Sequence, residues 1–286
     1  MTRAHYLRRF ERLIDYIYDN LDQSLDQLTM SEVACISPYH LHRVYQGIYG
    51  ESISATVKRL RLQRAAYQLV STDLTVKQIA DQSGYTSVQS FTRAFSESFE
   101  MPPARYRREG HHTQYSHCPK SEQGVMAMHE VRFETIEALE MVGIRHQGSY
   151  MEIGGAFEKL IGWLGMKGLL DHSLRTIGIF CDDPSVVETD QLRSVACASF
   201  QRQSEVELEE PLGVHTVDGG EYAVLRYKGS YANMSAAYEW FYGQWLPQSG
   251  REPRDAPCFE EYLNNPREVA PADLLTDIYM PLKATA

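Results

Sequence analysis

The chain has 286 residues, of which 43% are hydrophobic and 11% aromatic, and this composition is typical of a folded protein with one large or two ordinary domains. It contains no apolar run of roughly eighteen residues or more, which excludes a membrane-spanning helix, and its charged start lacks the apolar core of a signal peptide, so we expect a cytoplasmic protein. Its five cysteines form no C-x-x-C pair, which argues against a disulfide framework and a zinc knuckle.

The net charge of −10 is divided unevenly along the chain. Residues 1–110 carry 14 of the 28 Lys and Arg residues and 12 of the 38 Asp and Glu residues, a net of +2, which leaves −12 for the remainder. The first part can therefore approach phosphates if its basic groups share one face. The second part should repel DNA and favour neutral or cationic partners.

The first part of the chain has helical periodicity. A first amphipathic helix is predicted from apolar residues at helical spacing, namely Leu7, Phe10, Ile14, Ile17 and Leu21. A short helix near Leu28–Cys35 and a second helix over Pro38–Gly47, capped by Ser37, then form a helix-turn-helix unit. The residues of the second helix expected to face inward are Leu41, Val44 and Tyr45, and those expected on its outer side are Tyr39, His42 and Arg43.

The unit recurs fifty residues later, because Ser37–Tyr45 aligns with Ser87–Phe95. Val76–Ser83 predicts a short helix, Gly84 suits a turn, and Ser87–Phe99 predicts the second helix. Its expected inward residues are Phe91, Ala94 and Phe95, and its expected outward residues are Val88, Gln89, Thr92 and Arg93.

One long helix, Ser52–Ser71, is predicted between the two units. Twenty residues span about 30 Å, which approaches the roughly 34 Å repeat of the DNA major groove. One monomer could therefore read two adjacent groove segments, and a dimer is also compatible with the sequence. Two roles stay open for the basic residues of this helix, phosphate contact and plain solvation: Arg59, Arg61 and Arg64.

Two runs, Gly84–Phe95 and Phe99–Arg107, resemble the signature of the AraC family of bacterial regulators. Ser37–Arg43 resembles the first recognition helix of that family, and the likeness covers about residues 5–108. One departure is Cys35, where the first turn of that family often has glycine. The resemblance implies a transcription regulator that binds specific double-stranded DNA, with RNA polymerase as a candidate partner.

The recognition residues implied by the resemblance are Tyr39, His42 and Arg43 in the first unit, and Val88, Gln89, Thr92 and Arg93 in the second. Arginine can donate two hydrogen bonds to guanine, glutamine can read adenine, and apolar atoms can touch thymine methyl groups. The alternative is that Arg43 and Arg93 are ordinary solvated surface residues.

The polar, aperiodic stretch that follows predicts a linker. We therefore predict an all-α double helix-turn-helix domain over residues 1–108, a linker over 109–125, and an α+β domain over 126–286. The linker holds four residues of metal-ligand type without paired spacing, so we expect no metal and no cofactor: His111, His112, His117 and Cys118.

Period-two and helical segments alternate after the linker, which predicts an antiparallel sheet with helices on one face. Arg145–Glu158 aligns with Arg226–Glu239 at six of fourteen positions, so the domain has two similar halves. Helices are predicted around Ile153–Leu164 and over Asn233–Leu246, the second one ended by Pro247. Strands are predicted over Glu130–Thr135, Leu139–Arg145, Arg175–Phe180, Val195–Phe200, Tyr222–Tyr227, Cys258–Leu263 and Asp277–Leu282.

Several segments of this part resemble the GyrI-like effector-binding domain, over about residues 126–284. They are Arg145–Tyr150, Gly178–Pro184, Gly219–Val224, Asp255–Asn264 and Leu275–Leu282. That family includes small-molecule sensors, protein-binding members and some hydrolases. The resemblance implies a ligand groove between the two repeats, with a glutamate among aromatic rings.

The matching glutamate is Glu260, and strand alternation places it on the same face as Tyr262. A shift of one residue in register would make Glu261 the inward carboxylate. A carboxylate beside aromatic rings attracts an organic cation. The other candidate walls, which could also be core residues, are Tyr150, Trp163, Phe180, Tyr231, Trp245 and Tyr279.

We interpret the chain as a non-enzymatic regulator whose DNA binding is modulated by a small amphipathic ligand, with an organic cation as the favoured class. Two alternatives stay open. The second domain could be a hydrolase that uses Glu260 and a nearby tyrosine as acid and base, although no nucleophile–base set is visible. It could also be a protein-binding module similar to a gyrase inhibitor.

Overall fold

The computed structural model describes residues 3–109, 129–170, 173–199 and 207–284. The predicted linker lies outside these ranges except for its first residue, and so do its candidate metal ligands, His111, His112, His117 and Cys118. Close contacts divide the described residues into two compact units. The first contains residues 4–36 and 49–109. The second contains residues 37–48 together with the described residues of 129–284.

Within residues 3–109 the predicted helix-turn-helix units are present as α2–α3 and α5–α6, with the long helix α4 between them. The bounds are α1 Arg3–Asp19, α2 Gln27–Ala34, α3 Leu41–Tyr49, α4 Ile53–Ser71, α5 Val76–Gln82, α6 Val88–Phe99 and α7 Pro103–Glu109. Helix α7 was not predicted. No helix in the described ranges is both long and apolar enough to cross a membrane.

Local sequence determines where several of these helices begin and end. Ser52, Thr75 and Ser87 have extended backbone angles, and each side chain accepts a hydrogen bond from the backbone N–H three residues later. Helix α2 ends at Cys35, whose φ of 51° is the left-handed conformation that glycine adopts most easily. Helix α3 begins at Leu41 and not at Pro38, because the preceding residues form a turn.

The core of the first unit lies among α4, α5, α6 and α7. Phe91 and Phe95 of α6 are fully buried, and Ala94 is nearly so, which confirms the predicted inward face of this helix. The ring of Tyr106 in α7 packs edge-on against Phe95 at 5.4 Å between centroids. The other buried members of this cluster come from α4 and α5, namely Leu62, Ala65, Ala66, Leu69, Ile79 and Ala80.

In the second half of the chain, the described residues form an eight-stranded antiparallel sheet with the order β1-β6-β8-β7-β3-β4-β2-β5. The bounds are β1 Val131–Ile136, β2 Leu139–Gln147, β3 Arg175–Phe180, β4 Arg193–Ser199, β5 Leu212–Val217, β6 Gly220–Lys228, β7 Cys258–Tyr262 and β8 Leu275–Pro281. Every predicted strand is present, and β5 is an additional strand. The fold class is therefore the one expected from the sequence.

The two similar halves meet at the central pair β3–β7. One half contributes β7, β8 and β6 on one side, and the other contributes β3, β4 and β2 on the other side. Each edge is then closed by the first strand of the opposite half, because β1 pairs with β6 and β5 pairs with β2. This exchange of edge strands makes each half depend on the other, and it places Glu260 in the middle of the sheet.

Strands β2, β4 and β6 each have a run of consecutive buried residues, so they are buried on both faces. On one face, Val142 and Ala196 pack against Leu160 of helix α8, Gly154–Met166. On the other face, Ile177, Phe259 and Tyr279 belong to a separate cluster. A residue therefore meets different neighbours according to whether its position along the strand is odd or even.

The second helix of this half departs from the prediction. Helix α9, Met234–Trp240, continues through a π-helical turn at Phe241–Trp245 into α10, Leu246–Ser249. Pro247 does not end this helix: it lies just after the π-helical turn, and helical residues continue to Ser249. The helix ends instead at Gly250, which has a φ of 76°.

Candidate DNA and ligand sites

The second recognition helix, α6, presents its predicted DNA face to solvent. Gln89 and Arg93 are exposed, and Val88 and Thr92 are half-buried. The Arg93 side chain is 84% exposed and is held by Glu97 one turn later, with 3.0 Å from Nε to the carboxylate. An exposed ion pair of this kind is worth at most about 1 kcal/mol, so the guanidinium is available to another partner.

The first recognition helix, α3, is different, and the expected exposure of its outer face is wrong for two of three residues. Tyr39 is 37% exposed, but His42 is 4% exposed and the Arg43 side chain 13%. The reason is that residues 37–48 belong to the same compact unit as the sheet domain. Whether these three residues contact DNA stays a prediction.

Arg43 lies in an aromatic and carbonyl cage. Its guanidinium carbon is 5.2 Å from the ring centroid of Tyr238 and 5.6 Å from that of Tyr242. Its Nη2 donates to the Asp182 carbonyl at 3.1 Å, and its Nε is 3.9 Å from the Asp183 carboxylate. Although burial disfavours the charge, the surrounding groups raise the pKa of Arg43, so the residue is held as a cation.

His40 anchors the start of α3 beside this cage. Its ring is fully buried, with Nδ1 2.8 Å from the Tyr242 hydroxyl and Nε2 2.9 Å from the Arg254 carbonyl. Burial and the Arg43 charge lower the pKa of His40 to about 3, so the ring is neutral. The carbonyl must accept from Nε2–H, and Nδ1 then accepts from the tyrosine hydroxyl.

The three arginines of α4 have partners within the first unit. Arg59 pairs with Glu51 at 2.6 Å. Arg61 donates to the carbonyls of Leu21 and Gln23, and Arg64 donates to that of Gln82. These guanidinium groups connect neighbouring elements of the fold. The sequence had indicated phosphate contact or plain solvation for them, and not this structural role.

Glu260 occupies the centre of the candidate ligand site. It is 6% exposed, and its two carboxylate oxygens accept hydrogen bonds from the hydroxyls of Tyr238 at 2.9 Å and Tyr262 at 3.1 Å. Gly178 lies directly opposite Glu260 in the β3–β7 pair. A Cβ at that position would be 2.8 Å from the Tyr262 hydroxyl, so only glycine leaves room for this arrangement.

Aromatic rings from both repeats meet at Tyr262. Phe157 of α8, in the first repeat, packs edge-on against it at 5.5 Å between centroids. Tyr231, in the second repeat, packs against it at 5.5 Å as well. These rings are half-buried. The structure therefore brings Glu260, Tyr262 and Tyr231 together at the junction of the two repeats, as the resemblance implied.

Of the predicted wall residues other than Tyr231, Phe180 lies beside the Glu260 site: a Cβ on Gly178, which pairs with Glu260, would be 3.0 Å from the Phe180 ring and 2.8 Å from the Tyr262 hydroxyl. The other four make contacts elsewhere. The Tyr150 hydroxyl is hydrogen-bonded to the backbone of Asp182, and its ring packs against Phe180 at 4.8 Å. Phe180 and Trp163 belong to the cluster under α8. Trp245 packs against Phe241 and against Phe133 of the edge strand β1. Tyr150, Trp163 and Trp245 therefore pack against other parts of the fold, which agrees with the alternative that these aromatic residues belong to the core.

Tyr279 is excluded from the Glu260 site by register. It lies opposite Phe259 in the β7–β8 pair, and their rings stack at 4.4 Å. Because paired residues share a face, Tyr279 lies on the face away from Glu260. Glu261 is also on that face, where it forms an ion pair with Arg175 at 2.7 Å. Glu260 is therefore the carboxylate that faces the rings, and the alternative register does not occur.

Sequence reasoning missed Tyr238, Phe157 and Arg43 as neighbours of this site. The internal repeat contained a signal for two of them, because Phe157 and Tyr238 occupy equivalent positions in the aligned segments. No local pattern indicated Arg43, since it lies more than two hundred residues from Glu260.

The electrostatics of the site follow from this geometry. Burial raises the pKa of Glu260 to about 7, against the opposing effects of the two tyrosine hydrogen bonds and of Arg43. Burial and the nearby carboxylate raise the pKa of Tyr231, Tyr238 and Tyr262, so their hydroxyls stay protonated. Glu260 can thus change its charge near neutral pH. Among the described residues no group of His, Cys, Asp and Glu is arranged to hold a metal ion.

Comparison with known families assigns the second half of the chain to a family. Residues 129–283 match the family described as the GyrI-like small-molecule binding domain. The chain belongs to the GyrI-like family. Residues 30–109 match a helix-turn-helix domain of the AraC type. The chain is therefore an AraC-family DNA-binding transcription regulator with a GyrI-like small-molecule binding domain.

Full-length relatives have both parts in the same order. The chain is 27% identical over 259 residues to the transcriptional regulator Rob of Salmonella typhimurium, covering 87% of this chain and 88% of the relative. It is 26% identical over 285 residues to the right origin-binding protein of Escherichia coli, covering 95% and 96%. The multiple antibiotic resistance protein MarA of Salmonella typhimurium is 30% identical over 95 residues, covering 33% of this chain and 75% of the relative.

Proposed function

We propose that the GyrI-like domain binds an amphipathic organic cation at Glu260 and thereby modulates DNA binding by the two recognition helices. The observation that carries this proposal is a buried carboxylate hydrogen-bonded to Tyr262, on whose ring the half-buried rings of Phe157 and Tyr231 converge. A cation placed there would gain attraction from the ionised carboxylate and from the ring faces. Its apolar part would gain from contact with the rings.

We infer that the domain binds and releases its ligand unchanged. The hydroxyls nearest Glu260 belong to Tyr238 and Tyr262, and both donate to the carboxylate. Their pKa values are raised, so they are poor nucleophiles near neutral pH. One relative, Rob of Salmonella typhimurium, is a transcriptional regulator by name, which supports the same inference. On the DNA side we propose base contacts from Val88, Gln89, Thr92 and Arg93, and from Tyr39, His42 and Arg43.

The experiment that tests the ligand proposal compares two probes of the same shape. Benzyltrimethylammonium and its uncharged carbon analogue neopentylbenzene would be titrated into the full chain by calorimetry. We expect the cation to bind more tightly than the neutral analogue. Glu260→Gln should remove this difference, because the amide carries no charge.

The matched control is Glu261→Gln, which makes the same chemical change on the opposite face of the same strand. It should leave the preference for the cation unchanged. Equal binding of the two probes to the unaltered chain, or the same loss of preference in both variants, would contradict the proposal.

A further inference from the structure

The start of the first recognition helix is bound to the GyrI-like domain at several separate points. The Ser37 hydroxyl donates to the Asp255 carboxylate at 2.6 Å. The His40 ring is hydrogen-bonded to Tyr242 and to the Arg254 carbonyl. These contacts all lie within one compact unit, which contains residues 37–48 and the sheet domain. They hold the side chains on which the predicted DNA contact of α3 depends.

The backbone of α3 also makes a close approach to the π-helical turn after α9. A Cβ on Gly47 would be 2.4 Å from the Cα of Gly243, and a Cβ on Gly243 would be 2.6 Å from the Gly47 carbonyl oxygen. Real Cβ atoms do not approach backbone atoms so closely, so the contact requires glycine at both positions. The two backbones fit together only because each lacks a side chain at the crossing point.

The Arg43 guanidinium cannot occupy the cage and contact a DNA base at the same time. In the cage, the cation faces the rings of Tyr238 and Tyr242 and donates to the Asp182 carbonyl. Bidentate contact with guanine would need the same N–H groups to point into the major groove. Arg43 must therefore leave the cage before it can read a base.

The docked arrangement carries a cost that makes it reversible. Both ring nitrogens of His42 are buried and have no hydrogen-bond partner among the described residues. A buried polar atom without a partner opposes the state that buries it. The interactions that favour docking and the unsatisfied histidine thus act in opposite directions.

We propose that the GyrI-like domain binds the first recognition helix of its own chain, through the Arg43 cage and the Gly47–Gly243 contact, and that this docking withholds Arg43 from DNA. The partner of this surface is residues 37–48. The GyrI-like domain would then limit DNA affinity directly, before any effector is bound.

The same geometry links docking to the ligand site, and this second step rests on the proposed function. Tyr238 is shared, because its ring faces Arg43 and its hydroxyl donates to Glu260. A cation beside Glu260 would compete with Arg43 for electrostatic attraction to the Glu260 carboxylate and for contact with the Tyr238 ring. Ligand binding should then favour release of α3.

The test of docking uses no ligand, so a negative result would contradict the docking proposal without bearing on the ligand proposal. Gly243→Ala places a methyl group against the Gly47 backbone and should undock α3. The matched control is Gly162→Ala in α8, where an added Cβ meets nothing within 4 Å. DNA affinity of the full chain would be measured by fluorescence anisotropy, with hydrogen exchange followed by mass spectrometry over residues 37–48.

We expect Gly243→Ala to bind specific DNA more tightly, by about tenfold if nine molecules in ten are docked, because affinity scales with the competent fraction. Backbone exchange over residues 37–48 should become faster, and Gly162→Ala should change neither quantity. Asp255→Ala, an exposed position that loses only the Ser37 hydrogen bond, should show a smaller change in the same direction. Its control for charge is Glu268→Ala, which is also exposed.

Three outcomes would overturn the docking proposal. The first is unchanged exchange over residues 37–48 in both Gly243→Ala and Asp255→Ala. The second is faster exchange without a gain in DNA affinity. The third is an equal gain in Asp255→Ala and Glu268→Ala, which would assign the effect to net charge. For the ligand link, benzyltrimethylammonium should raise the DNA affinity of the unaltered chain and not that of Gly243→Ala, although it still binds both.

Discussion

The two recognition helices of this chain have similar sequences and opposite surroundings. In α6 the Arg93 side chain is 84% exposed, and its one ion pair is with Glu97 of its own helix. In α3 the equivalent Arg43 is 13% exposed and lies over two tyrosine rings of the GyrI-like domain. The aligned repeat predicts the same role for both arginines, and tertiary contacts distinguish them.

This difference suggests a division of labour. Under the docking proposal, the exposed helix α6 would be free to contact DNA, whereas the docked helix α3 would first have to be released. Regulation can then act on one half of the DNA contact and leave the other half available. The following experiments test this comparison, from the largest expected effect to the smallest.

The largest effect is expected for Arg93→Ala. Loss of a guanine contact should weaken specific DNA binding by about 1–3 kcal/mol, or roughly 5- to 150-fold, because the exposed ion pair of Arg93 with Glu97 costs little to break. Fluorescence anisotropy on the selected site would measure the loss.

The control is Arg105→Ala, since Arg105 also forms an exposed ion pair with a glutamate one turn later, on α7. It should leave base preference unchanged. If Arg93→Ala retains full affinity and base preference, α6 does not read DNA through this residue.

A smaller effect, at most about tenfold per pH unit, is expected when the pH is varied during cation binding. The pKa of Glu260 in the folded chain is about 7, above the ordinary value of 4.5. Lowering the pH through this value protonates Glu260, so the affinity for benzyltrimethylammonium should fall as the pH falls from 8 to 6. Calorimetry across this range would measure the change.

Glu260→Gln should have a flat profile over the same range, because the other groups that face the carboxylate, Tyr231, Tyr238, Tyr262 and Arg43, titrate well above it. The effect of pH on stability has the opposite sign to its effect on cation affinity. The raised pKa means that protonated Glu260 stabilises the fold below about 4.5 and that this contribution is lost as the pH rises through 7. A profile in Glu260→Gln as steep as that of the unaltered chain would assign the titration to another group.

The smallest effect on affinity is expected for Arg43→Ala. This change removes a predicted base contact, but it also removes the cation that holds α3 on the GyrI-like domain, so the two consequences partly cancel. We expect a loss of DNA affinity of only a few-fold, about 1 kcal/mol or less, with relaxed base preference at one position. Anisotropy with a set of single-base variants of the site would separate the two quantities. A loss as large as that of Arg93→Ala would show that docking does not restrain α3.

Much of the fold could be predicted from local patterns. The repeated helix-turn-helix units follow from apolar spacing and from the alignment of Ser37–Tyr45 with Ser87–Phe95, and the placement of Glu260 with Tyr262 follows from strand alternation. Local patterns could not decide which aromatic rings join Glu260. Tyr279 lies on the neighbouring strand β8, and it is on the face away from Glu260 because it pairs with Phe259.

Other differences also come from long-range contacts. Pro247 was expected to stop a helix, but the helix continues past it and ends at Gly250. The exchanged edge strands β1 and β5 depend on pairing between the two repeats, so their places in the sheet could not be inferred from either repeat alone.

The sequence by itself determined most of the helices and strands, the two repeats, the membership of both halves in their families, and the acidic residue of the candidate ligand site. These features depend on periodicity, capping and motifs that span a few residues. Only the tertiary structure decided that Arg43 lies beside Tyr238, Tyr242 and Asp182, and that Phe157 and Tyr231 converge on Tyr262. The physical reason is that these contacts join residues far apart in the chain, and their energies depend on burial and close backbone approach, which no local pattern encodes.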